Sequence, residues 1–216
     1  MLKEPIVDSV KFSLKNYLRQ TVMGFSQLFG RSNLRLDIFR ILSIGIFIVI
    51  CWEVLNDALA IGFGFSPEQL GIFAAILYLS TAILSRLSDK FVKLFGGIKA
   101  NLFIGVIIAV SLIVSPVVGI FFGGLTIFIR VIVSKIFSNI TSEVINVNTK
   151  SKYRATTIST FNMLQNLPYV VMAFAIGSTI DRLSSQRFAL WLGTVMAVVV
   201  GVQFVLLAQA KNKNFR

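Results

Sequence analysis

The fold of this chain is decided by residues 100–129, with the sequence ANLFIGVIIAVSLIVSPVVGIFFGGLTIFI, in which no side chain is ionisable. As one helix, this stretch would extend about 45 Å, whereas the hydrocarbon layer of a bilayer is about 30 Å thick. Ser115 and Pro116 lie near its middle, where proline favours a reversal of the chain. The stretch therefore predicts two membrane-spanning helices joined by a tight turn.

The rest of the chain has the same character, since 56% of its 216 residues are hydrophobic and only 14% are charged. Soluble domains carry about 25% charged residues. The apolar residues also form long runs without the alternating polar face of a soluble amphipathic element. We predict an all-α polytopic membrane protein, with a cytoplasmic segment 1–36 followed by a transmembrane bundle 37–216. Its six predicted spans are 37–57, 68–86, 99–115, 117–140, 157–178 and 187–209.

The distribution of Lys and Arg predicts the orientation, because these residues concentrate on the cytoplasmic side of membrane proteins. With the N-terminus inside, 17 of the 21 Lys and Arg residues fall on the cytoplasmic side. Only Arg182 and Arg187 fall on the other side, while Arg130 and Lys135 lie within the fourth span. Five spans would break this alternation. We therefore expect both termini in the cytoplasm and a location in the plasma membrane.

The segment before the first span has an amphipathic pattern. Leu14, Leu18, Val22, Phe25 and Phe29 recur at helical spacing, and basic residues flank them. Such a helix suits the anionic surface of the inner leaflet. It equally suits packing against the ends of the spans, and the sequence favours neither alternative.

Composition also limits the function. The net charge of +12 does not indicate nucleic-acid binding, because the bases lie between apolar runs where lipid headgroups are the nearer partner. The absence of histidine excludes a His-dependent triad and a His-ligated zinc site. The single cysteine, Cys51, excludes an intrachain disulfide. We expect no metal, no cofactor and no enzymatic activity.

Two short motifs 92 residues apart indicate an internal repeat. Residues 85–90 have the sequence SRLSDK, and residues 177–182 have the sequence GSTIDR. Each has a small residue, three further positions, and then Asp followed by a base. The separation is about one three-span unit, and an odd number of spans inverts the second copy across the membrane. The pattern therefore predicts a 3+3 inverted repeat.

The loop after the second predicted span resembles the signature of the major facilitator superfamily, Gly-x-x-x-Asp-Arg/Lys-x-Gly-Arg/Lys-Arg/Lys. Asp89 and Lys90 match its acidic and basic core. Ser85 and Val92 take the places of its two glycines, and Lys93 keeps one of the two trailing bases. Degraded copies of this kind are common in the second halves of these transporters.

Three further stretches carry the same resemblance. Residues 154–159 with Asn162 resemble the opening of the family's eleventh helix, and residues 64–71 resemble the external turn before its eighth. Residues 3–5 resemble the start of the linker after its sixth helix. In this order and at these spacings, the motifs cover nearly the whole chain.

The resemblance implies the C-terminal six-helix half of a major facilitator fold. It implies secondary active transport of a small molecule by alternating access, driven by an ion gradient such as a proton gradient, with efflux as one form. Because the family needs two halves to enclose its cavity, it also implies a second six-span half or a second copy as partner. The alternatives are a non-transporting remnant, a membrane interaction subunit of a split transporter, and a homodimeric six-span carrier.

Polar and ionisable side chains inside the spans are the candidates for transport, because they are costly in lipid. By helical rise, Glu53 lies about 18 Å into the membrane and Arg130 about 20 Å from the outer edge. One hypothesis is that Glu53 binds and releases a proton, with Arg130 biasing that equilibrium or binding an anionic group. The other is a structural ion pair, or an Arg130 that snorkels. The remaining cavity candidates are Asn56, Asp57, Ser134, Asn162, Gln165 and Asn166.

The three amides of the fifth span allow two interpretations. Asn162, Gln165 and Asn166 precede Pro168, so they hydrogen-bond either a substrate or neighbouring helices around a proline kink. The motif after the second span has two interpretations as well. The resemblance makes Ser85, Arg86, Asp89 and Lys90 a cytoplasmic gating cluster, whereas an ordinary basic loop would explain all but the acid.

Overall fold

The computed structural model describes residues 13–30, 32–84 and 87–213, and within these ranges it contains no β-strand. Ser85 and Arg86 of the predicted gating cluster lie outside the described residues, as does the segment 1–12. The α-helices of the described ranges are α1 (Leu14–Phe29), α2 (Ser32–Ile50), α3 (Asn56–Gly62), α4 (Pro67–Leu84), α5 (Leu87–Phe95), α6 (Gly97–Ile113), α7 (Ile120–Asn148), α8 (Arg154–Leu183) and α9 (Ser185–Lys213).

Six helical stretches of the described chain are long and apolar enough to cross a membrane, which confirms the prediction of an all-α, multi-pass class. We number them spans 1 to 6: Leu34–Gly62, Pro67–Leu84, Gly97–Val117, Ile120–Asn148, Ser151–Leu183 and Ser185–Gln209. Span 4 continues past its predicted end at 140, and span 5 begins before its predicted start at 157. Residues 141–148 contain no proline or glycine, so the helix continues past the apolar run.

The reversal between spans 3 and 4 lies where the sequence places it. Helix α6 ends at Ile113, a 3₁₀ turn covers Ser115–Val117, and α7 begins at Ile120. The Ser115 hydroxyl is buried and donates a hydrogen bond of 3.2 Å to the carbonyl of Ser111 in the last turn of α6. The proline thus ends one span and the next begins three residues after the turn.

Span 1 is not a continuous α-helix. Between α2 and α3, residues Cys51–Leu55 form a π-helical turn, in which the amide of Asn56 bonds the carbonyl of Cys51 five residues back. Such turns are rare and often lie at functional sites. This one contains Glu53 and directly precedes Asn56 and Asp57.

The apolar core lies between α2, α6, α7 and α9. Its fully enclosed side chains include Ile44, Ile108, Ile136 and Met196, one from each of these helices. Span 2 contributes no buried side chain to this core, because none of its 18 residues is buried. In span 5, only 6% of the most apolar 18-residue stretch is buried. Spans 2 and 5 therefore form an open side of the bundle.

Helix α1 packs on the bundle through one face. Gly24 lies so close to α8 that an added Cβ would be 3.1 Å from the Cβ of Thr160, and Leu28 is fully buried. Leu18 and Val22 remain exposed on the rest of the helix. The structure thus has the packed arrangement, one of the two alternatives that the sequence left open, with an apolar strip still uncovered.

Candidate functional site

Three adjoining cavities follow the open side of the bundle, between spans 1, 2, 4 and 5. We call the first, of about 450 Å³, the aromatic cavity; Trp52, Asn56, Asp57, Phe73 and Tyr78 are among its lining residues. The charged cavity, of about 250 Å³, is lined by Glu53, Thr81, Ser134, Lys135, Ser138, Gln165 and Asn166, among others. The amide cavity, of about 150 Å³, has Ser134, Ser138, Ser142, Asn162, Gln165 and Asn166 in its wall.

The cavities share lining residues, so they form one continuous concave surface. Trp52 belongs to both the aromatic and the charged cavity. Ser134, Ser138, Gln165 and Asn166 belong to both the charged and the amide cavity. A polar band thus runs along the surface, with an aromatic and largely apolar section at one end.

Seven of the eight residues that the sequence proposes for the cavity line this surface. They are Glu53, Asn56, Asp57, Ser134, Asn162, Gln165 and Asn166. Arg130 is the exception, because it lines none of the three cavities. The described part of the predicted gating cluster also lies elsewhere: Asp89 and Lys90 are exposed on the short helix α5.

Arg130 is fully enclosed by protein, with no exposed surface. Its Nε donates a hydrogen bond of 3.1 Å to Oδ1 of Asn56, and its Nη1 donates to the carbonyl and hydroxyl oxygens of Ser111 at 3.1 and 3.2 Å. Nη2 has no partner among the described residues. Within the described chain, the ion pair that the structure contains joins Arg40 to Asp37, so Arg130 is not paired with Glu53.

These contacts fix the orientation of Asn56. A guanidinium can only donate hydrogen bonds, so the amide must turn its carbonyl oxygen to Arg130. The Asn56 side chain lines the aromatic cavity and is 8% exposed. Its NH₂ group is therefore the end that remains for a ligand, and Arg130 acts as a positioning residue behind it.

The charged cavity is bordered by one acid and one base. Glu53 on the π turn and Lys135 on α7 are both exposed side chains that line it. No ion pair within 4.0 Å joins them among the described contacts. Two opposite charges that face the same space without direct contact leave room between them for water, a proton or a charged group.

Of the three amides of span 5, Gln165 makes the expected contact with a neighbouring helix. Gln165 Nε2 donates a hydrogen bond of 3.1 Å to the carbonyl of Gly45, which ties span 5 to span 1. Gly45 permits this because an added Cβ would lie 2.8 Å from the Gln165 carboxamide carbon. Asn166 bonds the Asn162 carbonyl within its own helix, and both side chains line the amide cavity.

Sequence reasoning missed three features of the site: the π turn, Ser111 and the aromatic pair formed by Trp52 and Tyr78. The two rings are perpendicular, with centroids 6.3 Å apart and an interplanar angle of 78°. Ser111 carried a usable signal, because it is one of three hydroxyl side chains in the otherwise apolar run 100–129. Trp52 could also have been proposed from the sequence, because it directly precedes Glu53, the acid that the sequence proposes for proton binding.

No protein-family model matches the sequence, and no curated protein or solved structure matches it significantly. The class therefore rests on the structure itself. This is an α-helical, multi-pass membrane protein with a polar concave surface between four of the six spans in its described residues.

Proposed function

We propose that this chain is the C-terminal six-span half of a transporter of the major facilitator type, which moves a small molecule by proton-coupled alternating access. The observation that carries the proposal is the single concave surface that gathers seven of the eight candidate residues. Spans 1, 2, 4 and 5 build that surface. In a 3+3 inverted repeat these are the first and second spans of both units, so a binding surface between repeats is the expected arrangement.

The chemistry of the surface argues against lipid as its cover. Glu53, Asp57 and Lys135 are exposed along it, and ionisable groups in contact with hydrocarbon are costly. Spans 2 and 5 are also almost without buried residues. A second six-span bundle on this side would enclose the charges in a water-filled cavity. A preceding part of the same polypeptide, a separate subunit or a second copy would each provide it.

Glu53 and Lys135 give the cavity a means of coupling. When Glu53 is ionised, the two formal charges in the charged cavity cancel. When Glu53 binds a proton, the charge of Lys135 is left uncompensated. The affinity for any charged substrate then changes with protonation, and by reciprocity the substrate changes the affinity for the proton.

The test uses membrane vesicles from cells that express the gene in its native context, so that any partner half is retained. The vesicles contain a pH-sensitive dye and receive a panel of sugars, amino acids, organic anions and organic cations. We expect at least one class to drive proton movement, and Glu53→Gln to abolish it. Glu68→Gln is the matched control, because this exposed acid at the start of α4 lines none of the three cavities.

Two results would overturn the proposal. One is the absence of expression-dependent proton movement with every class in the panel. The other is proton movement that Glu53→Gln leaves unchanged. Either result would favour a membrane protein that does not transport, such as an interaction subunit.

A further inference from the structure

The aromatic cavity differs from the rest of the concave surface. Its volume of about 450 Å³ falls in the usual range for small-molecule sites, about 300–1,000 Å³. Most of its lining residues are apolar, and three are aromatic: Trp52, Phe73 and Tyr78. Such a cavity favours a ligand with a substantial apolar body.

Two of the rings form a corner that is open to a ligand. Trp52 of span 1 and Tyr78 of span 2 meet edge to face, with centroids 6.3 Å apart, and they are 46% and 63% exposed. A ligand in this corner meets the face of one ring beside the edge of the other. Ring faces attract cations within about 6 Å of the centroid, Trp most strongly.

The charge of the cavity has the matching sign. Asp57 is the one formally charged side chain among its lining residues, and no described base forms an ion pair with it. The buried cation Arg130 lies behind Asn56 and donates its hydrogen bonds to Asn56 and Ser111. An acid at the edge of a mostly apolar cavity needs a counter-ion, and a cationic ligand would supply it.

From this combination we propose that the aromatic cavity binds lipophilic organic cations, whose charge is held by Asp57 and the ring faces of Trp52 and Tyr78. The inference rests on the proposed function in taking this cavity as the substrate site. The Asn56 NH₂ group adds a donor for a carbonyl or ether oxygen of the ligand. Protonation of Glu53 in the adjoining cavity would leave the positive charge of Lys135 uncompensated and so weaken cation binding. Binding of a proton would therefore favour release of the cation, and binding of the cation would favour release of the proton.

The experiment measures equilibrium binding, without a gradient, to the chain purified from its native context into nanodiscs together with any half that co-purifies with it. Rhodamine 6G and fluorescein serve as probes, because they share a xanthene ring system and carry opposite charges. Fluorescence anisotropy is recorded against empty discs, which corrects for partition into lipid. We expect rhodamine 6G to bind saturably and fluorescein to bind at least tenfold more weakly.

Variants assign the binding to the cavity. Asp57→Asn should weaken rhodamine 6G binding at least tenfold, whereas Asp181→Asn, the same change at an exposed acid of α8 outside the cavity, should have no effect. Trp52→Leu should weaken binding several-fold and Trp52→Phe much less, since Phe keeps a ring face. Glu53→Gln imitates the protonated acid, so it should bind rhodamine 6G more weakly than the wild type does. Binding to the wild type is measured without a gradient and does not depend on proton coupling.

Three outcomes would overturn the inference. These are rhodamine 6G binding no greater than to empty discs, equal binding to wild type and Asp57→Asn, and tighter binding of fluorescein than of rhodamine 6G. The last would point to an anion site organised by Asn56 and Arg130. None of the three bears on whether Glu53 couples transport to protons in the vesicle assay.

Discussion

Gly193 of α9 packs directly against the backbone of span 3. A Cβ added there would lie 2.7 Å from the Cβ of Leu112, 2.9 Å from the carbonyl oxygen of Ala109 and 3.0 Å from the amide nitrogen of Ile113. Carbon contacts are optimal at about 3.5–4.0 Å. Two of the three atoms are backbone, so no rotamer change can relieve the overlap, and the helices must separate.

The size of the effect follows from two opposing contributions. Overpacking of this kind costs about 1–3 kcal/mol. Replacing a helical glycine by alanine stabilises the helix by up to about 1 kcal/mol. We therefore expect Gly193→Ala to be less stable by about 0.5–2 kcal/mol, which lowers the unfolding midpoint by about 2–6 °C in a chain of this size. Gly201 lies eight residues further along the same helix, and a Cβ added there would have no atom within 4 Å. The unfolding midpoint of Gly201→Ala should therefore be unchanged or higher by about 1–3 °C.

The chain contains its own reporter for the assay. Cys51 is the single cysteine and is 2% exposed, so a maleimide dye that fluoresces on reaction with a thiol reports unfolding. Thermal ramps of the two variants and the wild type are compared in one detergent. If Gly193→Ala melts at or above the temperature of Gly201→Ala, the close approach of spans 3 and 6 is refuted.

Three other variants test separate parts of the structure with the same protein. Asn101→Leu should stabilise by about 1–3 kcal/mol in the thiol assay, because both amide atoms of this enclosed side chain lack partners among the described residues; a lower midpoint would contradict this. Arg130→Lys should destabilise by about 1–3 kcal/mol, since one ammonium nitrogen cannot reproduce the fork that donates to Asn56 and Ser111 together; an unchanged midpoint would remove the positioning role. Gly24→Leu should release α1 from Thr160 and make its C-terminal end cleavable by trypsin or chymotrypsin, and continued protection would show that the contact is dispensable.

The number of spans and the turn between spans 3 and 4 were predictable because both depend on local sequence. The length of an apolar run is compared with the thickness of a bilayer, and Pro116 marks the reversal within the run. Clustering of the cavity residues was predictable in outline for a similar reason. A polar side chain inside a span avoids contact with lipid by lining a cavity or by contacting another polar group.

The partners of Arg130 were not predictable in this way. Helical rise gives the depth of a residue in the membrane, and it places Glu53 and Arg130 at similar depths. It does not give the direction in which each side chain leaves its helix. That direction depends on the π turn, which no residue type in 51–55 signals, and on the packing of span 3, which brings Ser111 to Arg130.

The π turn lets span 1 lose a residue at one place without losing its register. It accommodates one residue more than an α-helix would need between Ile50 and Asn56. Removing a single residue from 51–55 would restore an ordinary helix, and because the wide turn absorbs that extra residue, Asn56 and Asp57 would keep their places in the wall of the aromatic cavity. A single deletion within α7, which is a continuous α-helix, would instead rotate everything after it by about 100°. In variant libraries of this protein, a one-residue deletion in 51–55 should therefore be tolerated better than one in α7.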